Sequence, residues 1–412
     1  MIKFYTLWLG QTISLIGSRV TSFSLMLWLW DQTEQAAPLA IMTFISLIAP
    51  LAASTFAGVI VDRFTRKHIM IGADIIAGIT TCFLILMAVN DQLMIWHIYI
   101  VAAINSVADY FQSLSFYASI SMIVPKTHYN RANAMNSYLG YYSASIIAPA
   151  IAAVLYNRYG LGIIFLQDMA TFLFAIGLLS LLTIPQPEEQ PANENENWQT
   201  SVTFGWRYIR SKQNLWVLLL IVTAIGMCTS AAGALYAPMI LAQSNADTYA
   251  FLQAFVGVGG VLSAAILTIW KGPSNMIRGI FLGYMLMGVF NMMLAFGQNI
   301  LIWLPFAVLA GITGPIPGTY LQTLWMNNTE PEVQGRIYAT NYLISGVMMG
   351  ITTLLIGFLA DHVFIPLMRE GSIFGAGDGA GLSFLYFMQV FILFLIAVAA
   401  LRIKKLWTLN PA

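Results

Sequence analysis

The stretch Gly58-Val-Ile-Val-Asp62-Arg63-Phe-Thr-Arg66-Lys67 places one acid and three bases within ten residues. The whole chain has 412 residues, of which only 8% are charged and 59% are hydrophobic. Soluble domains carry about 25% charged residues, so this composition indicates an integral membrane protein. Within such a chain, the stretch is expected to form a loop at the membrane surface between two apolar segments.

The apolar runs on both sides of this stretch are long enough to cross a bilayer, which takes about 20 residues of helix. The first run, after Lys3, has no cleavage site of small residues and is interpreted as a span rather than a removable signal peptide. Charges, prolines and polar clusters divide the chain into twelve predicted spans. These cover residues 4–30, 38–62, 67–90, 94–124, 131–158, 161–184, 213–242, 248–270, 275–298, 300–327, 336–364 and 380–404.

The distribution of basic residues gives the topology. With both termini placed in the cytoplasm, only Arg19, Arg158 and Arg369 of the 18 Lys and Arg residues fall outside the inner loops and inner helix ends. Basic residues are retained on the cytoplasmic side of membrane proteins. The sequence therefore predicts a multi-pass protein of the inner (plasma) membrane.

Residues 185–212 divide the spans into two sets of six. They begin with a segment rich in Pro, Glu and Asn, and they end in a predicted amphipathic helix with Trp206 and Ile209 opposite Arg207 and Arg210. The predicted domains are an N-terminal bundle (1–184), this cytoplasmic linker, and a C-terminal bundle (213–412).

The two halves resemble each other in sequence. The pattern Arg-x-x-Ala-x-Asn occurs at Arg131 to Asn136 and again at Arg336 to Asn341. Weak symmetry between six-helix halves is typical of transporters built from repeats.

The charged stretch, with its pattern G-x-x-x-D-R-x-x-R-K, the twelve spans and the central linker together resemble the major facilitator superfamily. Ile69 to Asp74 and Gly205 to Lys212 are similar to its macrolide-efflux-like and siderophore-exporter-like branch. The resemblance implies an all-α membrane protein with two pseudo-symmetric six-helix bundles. Thr65 departs from the pattern, which usually has glycine there. Asn105 lies in the region where proton-coupled exporters of the superfamily usually have an arginine.

Charged residues inside spans are costly and indicate function. Arg19 and Asp109 each lie near the bilayer midplane of a span that faces the central cavity in the superfamily. We predict that they pair, with Asp109 carrying the proton; Asn105 and Gln112 share the helical face of Asp109. A permanent structural pair, or binding of an anionic substrate by Arg19, are the alternatives. For the other two charges inside spans, Asp74 is expected to pair with the basic stretch and Asp168 to make a structural bond.

Further cavity candidates are polar or flexible side chains of the fifth, tenth and eleventh spans, each of which could instead make a helix-packing hydrogen bond. They are Asn136, Tyr320, Gln322, Asn341, Ser345 and Met348. The tenth span contains Gly311-Ile-Thr-Gly314-Pro315-Ile-Pro317-Gly318 and is expected to kink or unwind there.

The charged stretch is also a predicted gate latch. Arg63, Arg66 and Lys67 hold the loop in the cytoplasm, and Gly58 allows close helix approach. In the superfamily, Asp62 would meet the start of the eleventh span at Gly335 and Arg336, where a helix N-terminus attracts a carboxylate.

These features predict a secondary transporter, and not an enzyme, that exports an amphipathic small molecule by proton-coupled antiport. Uptake symport and lipid or lysolipid flipping are alternatives; a receptor or membrane-embedded enzyme fits the midplane charges less well. No nucleotide-binding loop, histidine pair with metal-ligand spacing or cofactor motif is present, and the proton gradient is the expected energy source. The net charge of +1 argues against nucleic acid. The expected partners are the substrate and the lipid bilayer, with the protein a monomer.

Overall fold

The computed structural model describes residues 2–125, 135, 143–184, 198–269, 275–329 and 334–409. Nearly all of them are helical. The helices are α1 Ile2–Thr33, α2 Ala36–Arg63, α3 Arg66–Val89, α4 Ile95–Ile123, α5 Ser143–Ser180, α6 Trp198–Ser211, α7 Gln213–Leu241, α8 Ala246–Ile269, α9 Met276–Ala295, α10 Ile300–Thr313, α11 Pro315–Asn328, α12 Gln334–Leu359, α13 Ile365–Met368, α14 Asp378–Leu401 and α15 Lys404–Trp407. A π-helical turn, Ala360–Phe364, joins α12 to α13.

Helix α5 has 38 residues and comprises two spans joined at Gly160, whose φ of 69° and ψ of −166° are not helical. Along α1, Trp8 contacts Met135, and Asp31 accepts a hydrogen bond from Tyr156. The chain therefore lies beside the beginning of α1 at Met135 and beside its end at Tyr156, so the first arm of α5 runs parallel to α1. After Gly160 the chain runs back along α1 in the opposite direction. This is shown by the packing of Gly17 on Thr171 and by the hydrogen bond from Lys3 to Thr183. The predicted boundary between spans, 158 to 161, therefore coincides with this reversal.

Ten helices in the described part of the chain are long and apolar enough to cross a membrane. That number counts α5 once although it passes twice, and it leaves out α4, which has 29 residues. Adding these two to the ten is consistent with twelve crossings.

The helices group into two compact units. The first contains residues 1–33 and 45–192, and the second contains residues 34–44 and 193–412. Helix α2 accordingly begins in the second unit and continues in the first. In the first unit, α1 packs along the second arm of α5, and α3 packs on α4 and α5. In the second, α7, α9 and α14 pack together, as do α8 with α10 and α12 with α7.

The second unit contains a close crossing of α8 and α10 at two glycines. A Cβ on Gly259 would lie 2.9 Å from Cα of Gly311, and one on Gly311 would lie 3.0 Å from Cα of Gly259. Small residues allow helices in a membrane to approach this closely.

The tenth predicted span is interrupted at Gly314 but does not unwind. Gly314 has φ −55° and ψ −51°, within the helical region, and its N–H donates to the carbonyl of Ala310 at 2.9 Å. Pro315 then opens α11 at a position where its missing N–H costs little. The predicted interruption of this span is thus present as a break between two helices, and it occurs without unwinding because the prolines fall at the start of a new helix and not in the middle of one.

The predicted amphipathic helix of the linker corresponds to α6. Ile209 is fully buried, whereas Arg207 and Arg210 are exposed. The indole rings of Trp206 and Trp216 meet edge to face at 5.0 Å, so α6 is anchored on α7 by its apolar side.

Candidate functional site

Helix α3 connects a network of polar side chains inside the first unit. The Nε2 atom of Gln112, on α4, donates to Oδ1 of Asp74, on α3, and to Oε1 of Gln11, on α1, both at 2.7 Å. Two turns further along α3, Thr80 Oγ1 donates to Asn105 Oδ1 at 2.7 Å and Thr81 Oγ1 donates to Asp168 Oδ2 at 2.9 Å. Polar side chains of α1, α4 and α5 are thus connected through those of α3.

The position of Asp74 corrects the sequence interpretation. Asp74 was expected to pair with the basic stretch that precedes α3, but it is buried and its carboxylate binds Gln112. The reason is the helical phase: Asp74 is on the side of α3 that faces α1 and α4. Asp168 makes the structural hydrogen bond that was expected of it, with Thr81.

Arg19 and Asp109 lie beside this network. Asp109 is the fifteenth of the 29 residues of α4 (109 − 95 + 1), which places it at the middle of the helix. Both side chains are exposed in the structure, and the two charges interact. The structure thus places an interacting acid and base halfway along two long apolar helices, where charged residues are rare.

Asp109 is also within electrostatic range of the two buried acids. Its charge acts on Asp74 and on Asp168, each of which has one carboxylate oxygen without a hydrogen-bond partner among the described residues. Three carboxyl groups on α3, α4 and α5 therefore share one region with Arg19. A change in charge on one of them alters the energy of the others.

Two bases of the opening stretch, Arg66 and Lys67, make contacts within the first unit. The Nζ atom of Lys67 donates to the carbonyl oxygens of Ser180 and Leu182, both at 2.8 Å, where it satisfies the end of α5. Arg66 contacts the sulfur of Met122 on α4. Lys67 and Arg66 thereby fix α3 against its neighbours.

Several predicted residues lie outside the described part of the structure. The side chains of Gly58, Asp62, Arg63, Gly335 and Arg336 are among them, and so is Asn136. The predicted contact of Asp62 with the start of α12 therefore stays a prediction.

The other cavity candidates do not form one group. Ser345 hydrogen-bonds Asn341 at 3.3 Å and Thr223 of α7 at 2.9 Å, so this pair joins α12 to α7. Tyr320 packs against the apolar core of the second unit. Gln322 and Met348 are exposed.

Sequence reasoning missed a cavity of about 290 Å³ inside the second unit. Its lining includes Tyr236 of α7, Tyr249 and Gln253 of α8, Asn291 of α9 and Tyr386 of α14. Tyr386 donates to Asn291 Oδ1 at 2.6 Å, whereas the buried hydroxyl of Tyr236 has no partner among the described residues. Three tyrosines within apolar runs were the only sequence signal, and their convergence depends on the packing of separate helices.

No group of three His, Cys, Asp or Glu side chains in the described ranges could hold a metal ion. The polar network of the first unit and the cavity of the second unit consist instead of amides, hydroxyls, aromatic rings and a few charged side chains.

The long apolar helices and the charges halfway along them define a multi-pass membrane protein of the transporter class. The sequence model of the Major Facilitator Superfamily matches residues 7–353. The chain belongs to this superfamily and is a membrane transporter, not an enzyme.

Similar proteins agree with this assignment. Macrolide efflux protein A of Streptococcus pyogenes is 24% identical over 366 residues, which are 88% of this chain and 90% of that protein. Macrolide efflux protein A of Enterococcus faecalis is 24% identical over 298 residues, 71% of this chain and 92% of that protein.

Solved structures share the fold. A bacterial homologue of the human lysosomal transporter Spinster, in an inward-facing and unoccupied conformation, has a TM-score of 0.73 at 15% identity, with 100% of this chain and 98% of that chain covered. The nucleoside transporter NupG has a TM-score of 0.68 at 13% identity, covering 98% and 100%. At such identities the likeness concerns the fold alone.

Proposed function

We propose that this transporter exports an amphipathic small molecule in exchange for protons. The observation that carries the proposal is the pair Arg19 and Asp109, exposed halfway along α1 and α4. The similarity to macrolide efflux proteins over 88% of the chain supports export and a bulky, largely apolar cargo.

Asp109 is the proposed proton carrier. When it is ionised, the attraction to Arg19 is present; when it takes up a proton, that attraction is lost and Arg19 is released. A carboxyl group that alternates between these states can couple proton movement to a change of conformation. The nearby acids Asp74 and Asp168 make the cluster sensitive to the charge of Asp109.

The cavity of the second unit is the proposed binding place for an apolar part of the cargo. Its volume of about 290 Å³ suits a ring system or side group. Aromatic faces supply the contact area, and the hydroxyl of Tyr236 is a hydrogen-bonding group that a cargo can use.

The proposal is tested in proteoliposomes that contain a pH-sensitive dye and the purified protein. Cargo is added against an imposed pH gradient, with a macrolide, other amphipathic drugs, a siderophore and a lysolipid as separate trials. Antiport moves protons opposite to the cargo, whereas symport moves them with it, so the sign of the pH change separates export by exchange from uptake symport. Lysolipid flipping without proton movement would contradict the proposal.

Asp109→Asn is expected to abolish cargo-driven proton movement while cargo exchange across the membrane at equal concentrations continues. Exchange persists because it needs no net proton transfer. Asp91→Asn is the matched control: Asp91 is exposed in the turn before α4 and has φ 54°, a conformation that asparagine also adopts. Proton movement that survives in Asp109→Asn would remove Asp109 from the coupling mechanism.

A further inference from the structure

The first turn of α2 is bound by a carboxylate from the far end of α12. Asp361 Oδ1 accepts from the N–H of Ala36 at 2.8 Å, and Oδ2 accepts from the N–H of Ala37 at 2.7 Å. The N–H groups of a first helical turn have no partner within the helix. Pro38 has no N–H to offer, so the two groups that Asp361 binds are those that this turn most needs to satisfy.

A close helix approach accompanies these hydrogen bonds. A Cβ on Gly357 would lie 2.5 Å from Cβ of Ala40 and 2.9 Å from Cα of Ala37. Ala36 and Ala40 are each only 1% exposed, although they begin a helix next to a loop. The absence of a side chain at Gly357 is therefore what allows α2 to reach Asp361.

The segment that carries Asp361 is itself firmly placed. It forms a π-helical turn, Ala360–Phe364, a deviation that is frequent at functional sites in helices. Gly381 of α14 packs directly on this turn, since a Cβ there would lie 2.6 Å from the carbonyl carbon of Phe364. The rings of Phe364 and Phe384 add a contact at 5.9 Å.

The sequence pattern at this position repeats the opening stretch. The end of α12 and the π-helical turn that follows it read Gly357-Phe-Leu-Ala-Asp361, and the last turns of α2 read Gly58-Val-Ile-Val-Asp62. In both, an acid follows a glycine by four residues, which places them on one face a single turn apart. The same pattern therefore occurs at the end of α2 and just after α12, and the acid of the second copy, Asp361, binds the beginning of α2.

We propose that Gly357 and Asp361 form a second latch that controls the transport cycle. This latch joins the end of α12 to the start of α2, whereas Asp62 lies at the other end of α2. Residues 36–44 of α2 belong to the second unit and residues 45–63 to the first. The latch holds the start of α2 in the second unit in one conformational state and releases it in the other. Asp361 is a positioning residue in this scheme and does not contact the cargo.

The test measures how often the start of α2 is released. Leu39 is 2% exposed, so a cysteine placed there, with Cys82 and Cys228 replaced, reacts with a maleimide only when the latch opens. Asp361→Asn removes the charge and one of the two acceptor oxygens. We expect the labelling rate to rise about tenfold. This ratio corresponds to losing about the free energy of one charge-assisted hydrogen bond.

Asp378→Asn is the matched control. Asp378 lies near the same end of the second unit, where it forms an exposed ion pair with Arg369 at 3.0 Å. The same chemical change there should leave the labelling rate within twofold of that of the parent protein, because exposed pairs contribute little.

A second variant guards against a folding defect in Asp361→Asn. Gly357→Ala should also raise labelling of the cysteine at position 39, and Ala40→Gly in the same chain should lower it again by removing the overlapping Cβ. The proposal is overturned if labelling in both Asp361→Asn and Gly357→Ala equals that of the parent. It is also overturned if both variants lose thermal stability with no change in labelling, since Asp361 would then be an ordinary helix cap.

Discussion

Replacing Gly17 by alanine should weaken the packing of α1 against α5. A Cβ on Gly17 would overlap Oγ1 of Thr171 and lie 3.1 Å from both Cβ of Thr171 and Nε2 of Gln167, closer than ordinary contact. Thr171 cannot turn away without loss, because its hydroxyl donates to the carbonyl of Asp168 at 2.8 Å. Either α1 moves outward or that hydrogen bond breaks.

The size of the effect follows from two opposing terms. Alanine in place of glycine favours a helix by up to about 1 kcal/mol, while overpacking costs about 1–3 kcal/mol. Gly72→Ala isolates the first term, since a Cβ on Gly72 of α3 meets nothing within 4 Å. The free energy of unfolding of Gly17→Ala should therefore fall about 1–3 kcal/mol below that of Gly72→Ala.

The assay is reversible unfolding by sodium dodecyl sulfate in mixed micelles, followed by circular dichroism. Thr171→Ala removes the overlapping oxygen and should restore most of the loss when combined with Gly17→Ala. The two substitutions are then coupled, as expected of residues in contact. Equal stabilities of Gly17→Ala and Gly72→Ala, or additive effects of Gly17→Ala and Thr171→Ala, would refute the packing argument.

Two further predictions concern the gate and the cavity. Asp62→Asn should shift the population toward inward-facing states and slow transport with membrane insertion unchanged, because a neutral side chain loses its attraction to a helix N-terminus; unchanged labelling of cysteine probes at the inner gate would limit the stretch to its topological role. Tyr236→Phe should weaken cargo binding about three- to tenfold, the ratio that corresponds to one neutral hydrogen bond, with little change in stability because the hydroxyl has no partner among the described residues. Titrations of tryptophan fluorescence with cargo measure the affinity, and an unchanged affinity would place the cargo elsewhere.

The helical spans could be predicted from the sequence because each depends on local properties. The reversal of α5 at Gly160 lies between two predicted spans. It could be located because a glycine, which can adopt a φ of 69°, and the polar residues around it are both apparent in the sequence. Arg19 and Asp109 could be singled out because charge in an apolar span is rare. These signals need no knowledge of which helices are neighbours.

The partners of the polar residues could not be predicted, because they depend on which helices pack together. Asp74 lies close in sequence to the bases at the start of α3, and that proximity suggested the wrong partner. Its actual partner, Gln112, is 38 residues away on α4. Asp361 was missed for the same reason: its role depends on the N–H groups of Ala36 and Ala37, which are more than 300 residues away in sequence.

The strength of the second latch suits a contact that must open in every cycle. A carboxylate at a helix N-terminus contributes about 0.3–2 kcal/mol, and its hydrogen bonds are partly exchanged for bonds to water when the helix leaves. Reversing a two-state population from 1:99 to 99:1 takes about 5.5 kcal/mol. A contact much stronger than a helix cap would therefore hold one state against any change that cargo or proton binding could produce. Asp361 has no basic partner among the described residues and lies one turn after a glycine, an arrangement suited to the proposed latch because it stabilises a closed end and leaves it easy to open. The Gly-x-x-x-Asp pattern at the end of α2 and again just after α12 fits the proposal that two opposing weak latches, rather than one strong lock, set the balance between the two states.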